Sequence, residues 1–142
     1  MEKTGTLTGF LFCKIGMALA AIAFIGFALS LNSAITRFAS REDLELVAET
    51  ITSAIEKMDG CPAEAELYRE LPQLNQTFEV IITGEKSDGV QEISVRVISG
   101  AVVDRSLITG STVNNGYFRL SMKDPRGILV RKMETMRVEL VG

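Results

Sequence analysis

The sequence predicts an α+β fold: a long N-terminal helix, membrane-spanning and then amphipathic, packed on a C-terminal antiparallel β-sheet or small β-sandwich. Three observations predict it. Residues 15–36 carry no charge, residues 41–58 repeat their apolar positions with a period near 3.6, and beyond residue 77 the period falls to two between closely spaced turn signals. The expected layout is a short tail or leader at 1–14, a transmembrane helix at 15–36, an amphipathic helix at 37–60, a connector at 61–76 and an antiparallel β-domain at 77–142.

The apolar segment is justified by length. At 1.5 Å per residue, residues 15–36 make a helix about 33 Å long, against roughly 30 Å of bilayer hydrocarbon. Before Arg37 only Glu2, Lys3 and Lys14 are charged, although the chain as a whole is an ordinary 46% hydrophobic. Two solvents are therefore implied for two parts of one chain. No Pro or Gly separates this segment from the next, so one continuous rod is the economical reading; Ser40, with Asp43 three residues on, would also allow a fresh helix start and a bend. Gly26, Ser30 and Ala34 recur every fourth position and form a helix-packing stripe.

In the next helix Leu44, Val47, Ile51, Ala54, Ile55 and Met58 share one face, and Glu45, Glu49, Thr52, Ser53, Glu56 and Lys57 populate the other. Asp59-Gly60 offers a left-handed exit and Pro62 blocks continuation. The acidic residues 63–74 (AEAELYRELPQL) read as a connector with at most one helical turn, closed by Pro72. Phe78, Val80 and Ile82, then Ile93, Val95 and Val97 after Ser87-Asp88-Gly89, predict a hairpin. Further strands are expected at 102–108, 117–122, 128–132 and 136–141, separated by Asn114-Asn115-Gly116 and Asp124-Pro125-Arg126-Gly127. Six strands with one apolar face need a lid, and the amphipathic helix is the long element available to supply it.

The composition argues against several functions. There is no histidine, and the two cysteines, Cys13 and Cys61, are far apart in sequence, so neither a zinc site nor a nucleophile triad of the usual kind can be assembled. None of the 18 acidic residues pairs at a spacing beyond what helix and strand faces produce, so no catalytic residue, cofactor or metal is assigned and the protein is not expected to be an enzyme. A net charge of −3 without a Lys/Arg run excludes a nucleic-acid partner. Thr83-Gly84-Glu85-Lys86-Ser87 lacks phosphate-loop spacing and reads as a hairpin turn. Each cysteine is read as a small buried thiol, with an intermolecular bridge through Cys61 as the alternative.

Four features invite binding. The polar loop 109–116 offers Ser111, Thr112, Asn114 and Asn115 to a sugar, ion or partner, or is a plain solvated loop. Asn75-Gln76-Thr77 is a glycosylation sequon. The late basic residues Arg119, Lys123, Arg126, Arg131, Lys132 and Arg137 oppose the acidic stretch between Glu42 and Glu70, within one molecule or between neighbours. Lys14, beside the apolar span, reaches headgroups or pairs with an acidic group of a neighbouring subunit.

Residues 1–36 admit three readings: a secretory signal cut after Asn32-Ser33-Ala34, a retained single-pass anchor, or a leader and helix of another kind. A polar N-terminus with lysines, the apolar run MALAAIAFIGFALSL, a direct passage into an amphipathic helix and a β-rich C-terminal domain together resemble type IV pilins, pseudopilins and their archaeal relatives, including the anchored accessory proteins of the archaeal swimming filament. The resemblance implies a leader end at Gly9 or Gly16, where neither glycine is followed by a Glu at the usual place. It further implies assembly with pilin-like subunits as a homo- or hetero-oligomer in the cell membrane. Lys3 and Lys14 balance Arg37 and Arg41 across the span; the sequon and the family plan favour an extracytoplasmic C-terminal domain.

Overall fold

The computed structural model describes the backbone of residues 3–142 and the side chains of residues 7–34 and 41–142. The Ser40 cap is a side-chain assignment outside the described residues. The backbone is helical, α1, over Lys3–Asp59, and the chain divides into two compact units, Met1–Phe38 and Ala39–Gly142.

The first unit is apolar helix. Leu7–Ala34 is 28 residues long, none of it buried by the chain, and is long and apolar enough to cross a membrane. At 1.5 Å per residue it measures about 42 Å. The stretch begins earlier than residue 15 and so takes in Lys14. Its large side chains point outward all round, with Phe12 and Phe24 each 74% exposed.

The second unit is the end of α1 with seven strands: β1 (Ala65–Glu70), β2 (Glu79–Ser87), β3 (Val90–Ser99), β4 (Ala101–Thr109), β5 (Phe118–Lys123), β6 (Gly127–Lys132) and β7 (Met136–Val141). All ladders are antiparallel, in two sheets of order β4-β3-β2-β5 and β1-β6-β7. The amphipathic helix packs on them as the pattern required: Leu44, Val47, Ile51 and Ile55 are wholly buried, and Ala54 and Met58 nearly so. They meet Val80, Ile82, Ile93, Val95 and Val97 from one sheet and Ile128, Val130, Met136 and Val138 from the other.

Four sequence expectations are corrected. The connector contains a strand, β1, which pairs with β6 from Ala65↔Lys132 to Glu70↔Gly127; its alternation is weak because only Ala65 and Leu67 face the core. Residues 83–87 are the arm of β2, and the turn itself is Asp88-Gly89, both at positive φ as a two-residue hairpin demands. Gly84 is needed because an added Cβ would overlap the Phe118 ring and the Gln91 amide. Gly60 does not take a positive φ; the helix ends instead through N–H bonds from Gly60 to the Glu56 carbonyl and from Cys61 to the Met58 carbonyl. Neither cysteine is buried: Cys13 is exposed, Cys61 half-buried, and both are free thiols.

Two of the four strands that end a sheet, β1 and β4, carry matching devices. On β4 the inward side chains Val103 and Leu107 are buried, yet Arg105 between them reaches Glu49 on α1 at 3.9 Å. On β1, Arg69 follows Ala65 and Leu67 on the inward face and lines a groove of about 290 Å³ with Leu46, Glu49, Ser53 and Lys57. A charge pointing inward on an edge strand resists pairing with another chain. Among the described residues, every buried side-chain nitrogen and oxygen has a hydrogen-bond partner.

Candidate functional site

The residues singled out from the sequence fall in both units. In the first, Gly26, Ser30 and Ala34 lie on one exposed helical face, and a Cβ added at Gly26 meets nothing. Ser33 turns its hydroxyl back onto the Ser30 carbonyl at 2.9 Å, which satisfies it within the helix. Gly9 and Gly16 are also inside the helix with open space around them. In the second unit, Asn75 is exposed between β1 and β2.

The loop from Gly110 to Tyr117 is built differently from a solvated turn. Asn114, Asn115 and Gly116 take three successive positive φ values, of 45°, 65° and 96°, which double the chain back sharply. Val113 at the bend is fully buried. The adjoining backbone is held by Gln91 of β3: its Oε1 accepts from the Val113 N–H at 2.6 Å, and its Nε2 donates to the carbonyls of Val113 and Gly116 at 3.0 and 2.9 Å. One buried amide therefore satisfies three main-chain groups that no strand reaches.

Three of the four candidate ligand residues are engaged in this clasp. Ser111 gives its N–H to Asp59 Oδ1 at 3.0 Å, and the neighbouring Gly110 N–H goes to Oδ2 at 3.1 Å. The Thr112 carbonyl accepts from Met136 N–H at 2.9 Å, while Lys86 Nζ donates to its hydroxyl at 3.3 Å. Asn114 imitates a strand: its Oδ1 accepts from Val138 N–H and its Nδ2 donates to the Val138 carbonyl, both at 3.0 Å. Asn115 alone faces outward, on the wall of a groove of about 450 Å³ between β5 and β7. Phe118 and Leu120 form its apolar floor, and Thr135, Arg137 and Glu139 its polar rim. Arg137 and Glu139 pair at 2.9 Å along β7.

Asp59 and Lys132 complete the clasp at the helix end. Partial burial by itself raises the Asp59 carboxyl, but hydrogen bonds from the Ser111 side chain and from the Gly110 and Ser111 N–H groups, with the Lys132 ammonium nearby, outweigh it. The net effect holds Asp59 below the ordinary carboxylate value. Lys132 Nζ donates to the carbonyls of Asp59 and Cys61 at 2.7 and 2.6 Å, closing orphan acceptors at the helix C-terminus where a cation is favoured. Sequence reasoning missed Asp59, Gln91 and Lys132 because their partners lie 22 to 73 residues away. The single available signal was a basic residue closing β6, which read as surface charge.

The opposite-sign regions meet within the molecule at Arg131 and Glu66, 2.7 Å apart across β6 and β1. The groove beside Asn115 offers an amide, a hydroxyl and an ion pair around an apolar floor, a surface suited to contact. No protein-family model, curated protein or solved structure matches this chain.

Proposed function

We propose that this chain is a non-enzymatic, membrane-anchored, pilin-like structural subunit of a cell-surface filament or envelope machine. Its apolar helix holds it in the bilayer and packs with partner helices, and its β-domain stands outside the cytoplasm. The observation that carries this reading is Leu7–Ala34, 28 apolar helical residues of which the chain itself covers none. Such a surface is satisfied by lipid or by other helices, and Gly26, Ser30 and Ala34 permit the close approach that helix association in lipid uses. Outside the membrane, the exposed cations Arg119, Lys123 and Arg126 are available to register neighbours.

Intact mass of the protein from native membranes, combined with gel filtration in mild detergent, tests this. Loss of residues up to Gly9 or Gly16 together with large assemblies is the expected outcome. Loss up to about Ala34 would mean a released domain and would overturn it. Ser30→Phe is expected to shrink the assemblies while leaving the β-domain folded; unchanged size would count against packing through that face.

A second reading is favoured by the groove beside Asn115: a monomeric anchored module that binds a glycan, ion or envelope component. Exchanging residues 15–36 for an unrelated apolar helix separates the two, because binding at the groove survives that exchange and assembly does not.

A further inference from the structure

We propose that Lys14 and Phe10 form a headgroup-binding pair that takes the phosphate of an anionic lipid and so sets the depth of the helix in the bilayer. The inference rests on the membrane-anchored reading in a chain left whole or cut no later than Gly9, since a cut at Gly16 removes both residues. It starts from a mismatch: Leu7–Ala34 measures about 42 Å, some 12 Å more than the hydrocarbon core can hold upright. Uniform apolarity would leave the helix free to slide or tilt over that excess. Lys14 is the one charged residue within the stretch. Residues 15–34, on its C-terminal side, measure about 30 Å, the thickness of the core itself.

The side chain points the way this partition requires. Helical side chains lean toward the N-terminus, and the Lys14 ammonium lies over the Phe10 ring, 4.6 Å from its centroid and one turn back along the axis. The charge is therefore carried away from the core and toward the nearer interface. Phe10 shields one side of the ammonium with a ring face and leaves its other donors free. An anionic phosphate is the ligand that such a cation meets at the membrane surface, where each positive side chain is attracted to acidic lipid. Leu11 and Phe12 then lie within about 5 Å of the Lys14 level, at the headgroup boundary.

The native Cys13 provides the probe. The full chain carrying Cys61→Ser is labelled at Cys13 with a spin label or fluorophore and reconstituted into phosphatidylcholine vesicles with and without phosphatidylglycerol. The label is expected at headgroup depth, and headgroup-labelled phosphatidylglycerol should quench it severalfold more than the choline lipid does. Lys14→Leu should abolish that preference and let the label sink by about one helical turn, roughly 5 Å; Lys14→Arg should retain both properties. A label deep in the hydrocarbon of the unsubstituted protein, or one unmoved by Lys14→Leu, would overturn the inference. Equal quenching by both lipids with label contacts that grow with protein density would overturn it in favour of pairing with a neighbouring helix. Failure to float with vesicles would instead sink the membrane anchor itself, and with it this proposal.

Discussion

One helical stretch carries two opposite solutions to the same problem. Between Leu44 and Met58 the apolar face is covered by two sheets, down to complete burial of Leu44, Val47, Ile51 and Ile55. Between Leu7 and Ala34 the same residue types are left open, Ile22 at 68% and Phe24 at 74% exposure. The difference is one of pattern. A stripe of period 3.6 asks for a single partner surface and receives one from the chain. Apolarity all round the helix exceeds what one sheet can cover, and the stretch is long and apolar enough to cross a membrane.

The largest effect should come from breaking the covered half. Ile55→Ala removes a wholly buried side chain and is expected to cost the β-domain about 2 to 5 kcal/mol. The same change at Ile22 should leave its melting in detergent unmoved. Equal shifts at both positions would mean that the first unit also packs on protein.

Next in size is Gln91→Leu, which strands the Val113 N–H and the Gly116 carbonyl in a buried place, while the Val113 carbonyl keeps its bond from the Gly116 N–H. A loss of about 3 kcal/mol is expected in denaturant unfolding. A loss under about 1 kcal/mol would mean that water replaces the amide.

A smaller, pH-dependent effect belongs to Asp59. Its folded pKa lies below the ordinary value of 3.8, so its contribution is present above that value and is lost as pH falls through the folded value. Asp59→Asn should lower stability by about 1 to 2 kcal/mol at neutral pH and flatten this part of the acid limb. An unchanged acid profile would show that the clasp at the helix end does not depend on that charge.

The smallest change in stability, within about 0.5 kcal/mol, is expected for Arg105→Thr, since exposed ion pairs contribute little. Its consequence should appear in association: light scattering of the β-domain should report edge-to-edge growth through β4. A variant that stays dispersed would show that the inward arginine does not guard that edge.

Much of this arrangement is legible in the residues. The helix stripe, the hairpin at Asp88-Gly89 and the β-face of Val80, Ile82, Ile93, Val95 and Val97 follow from periodicity and turn chemistry, which are local signals. Strand β1 escaped because an edge strand with one half-covered face shows little alternation, and AELYRE has the composition of an acidic helix as well as of a strand. The loop 110–116 escaped for another reason. Its composition suggests free hydroxyls and amides, yet Asp59 and Met136 hold the main chain of Ser111 and Thr112, Lys86 takes the Thr112 hydroxyl, and Val138 takes the Asn114 amide.

Sequence alone determined the division between a lipid-compatible helix and a water-facing α+β unit, because charge placement and hydrophobic period act residue by residue and need no partner. Tertiary structure alone decided the strand order, the split into two sheets, and the joining of helix end, loop and β7 through Asp59, Gln91, Asn114 and Lys132. Those choices depend on which distant main-chain groups come to lie within hydrogen-bond reach, and a buried polar group takes whichever partner the fold brings to it.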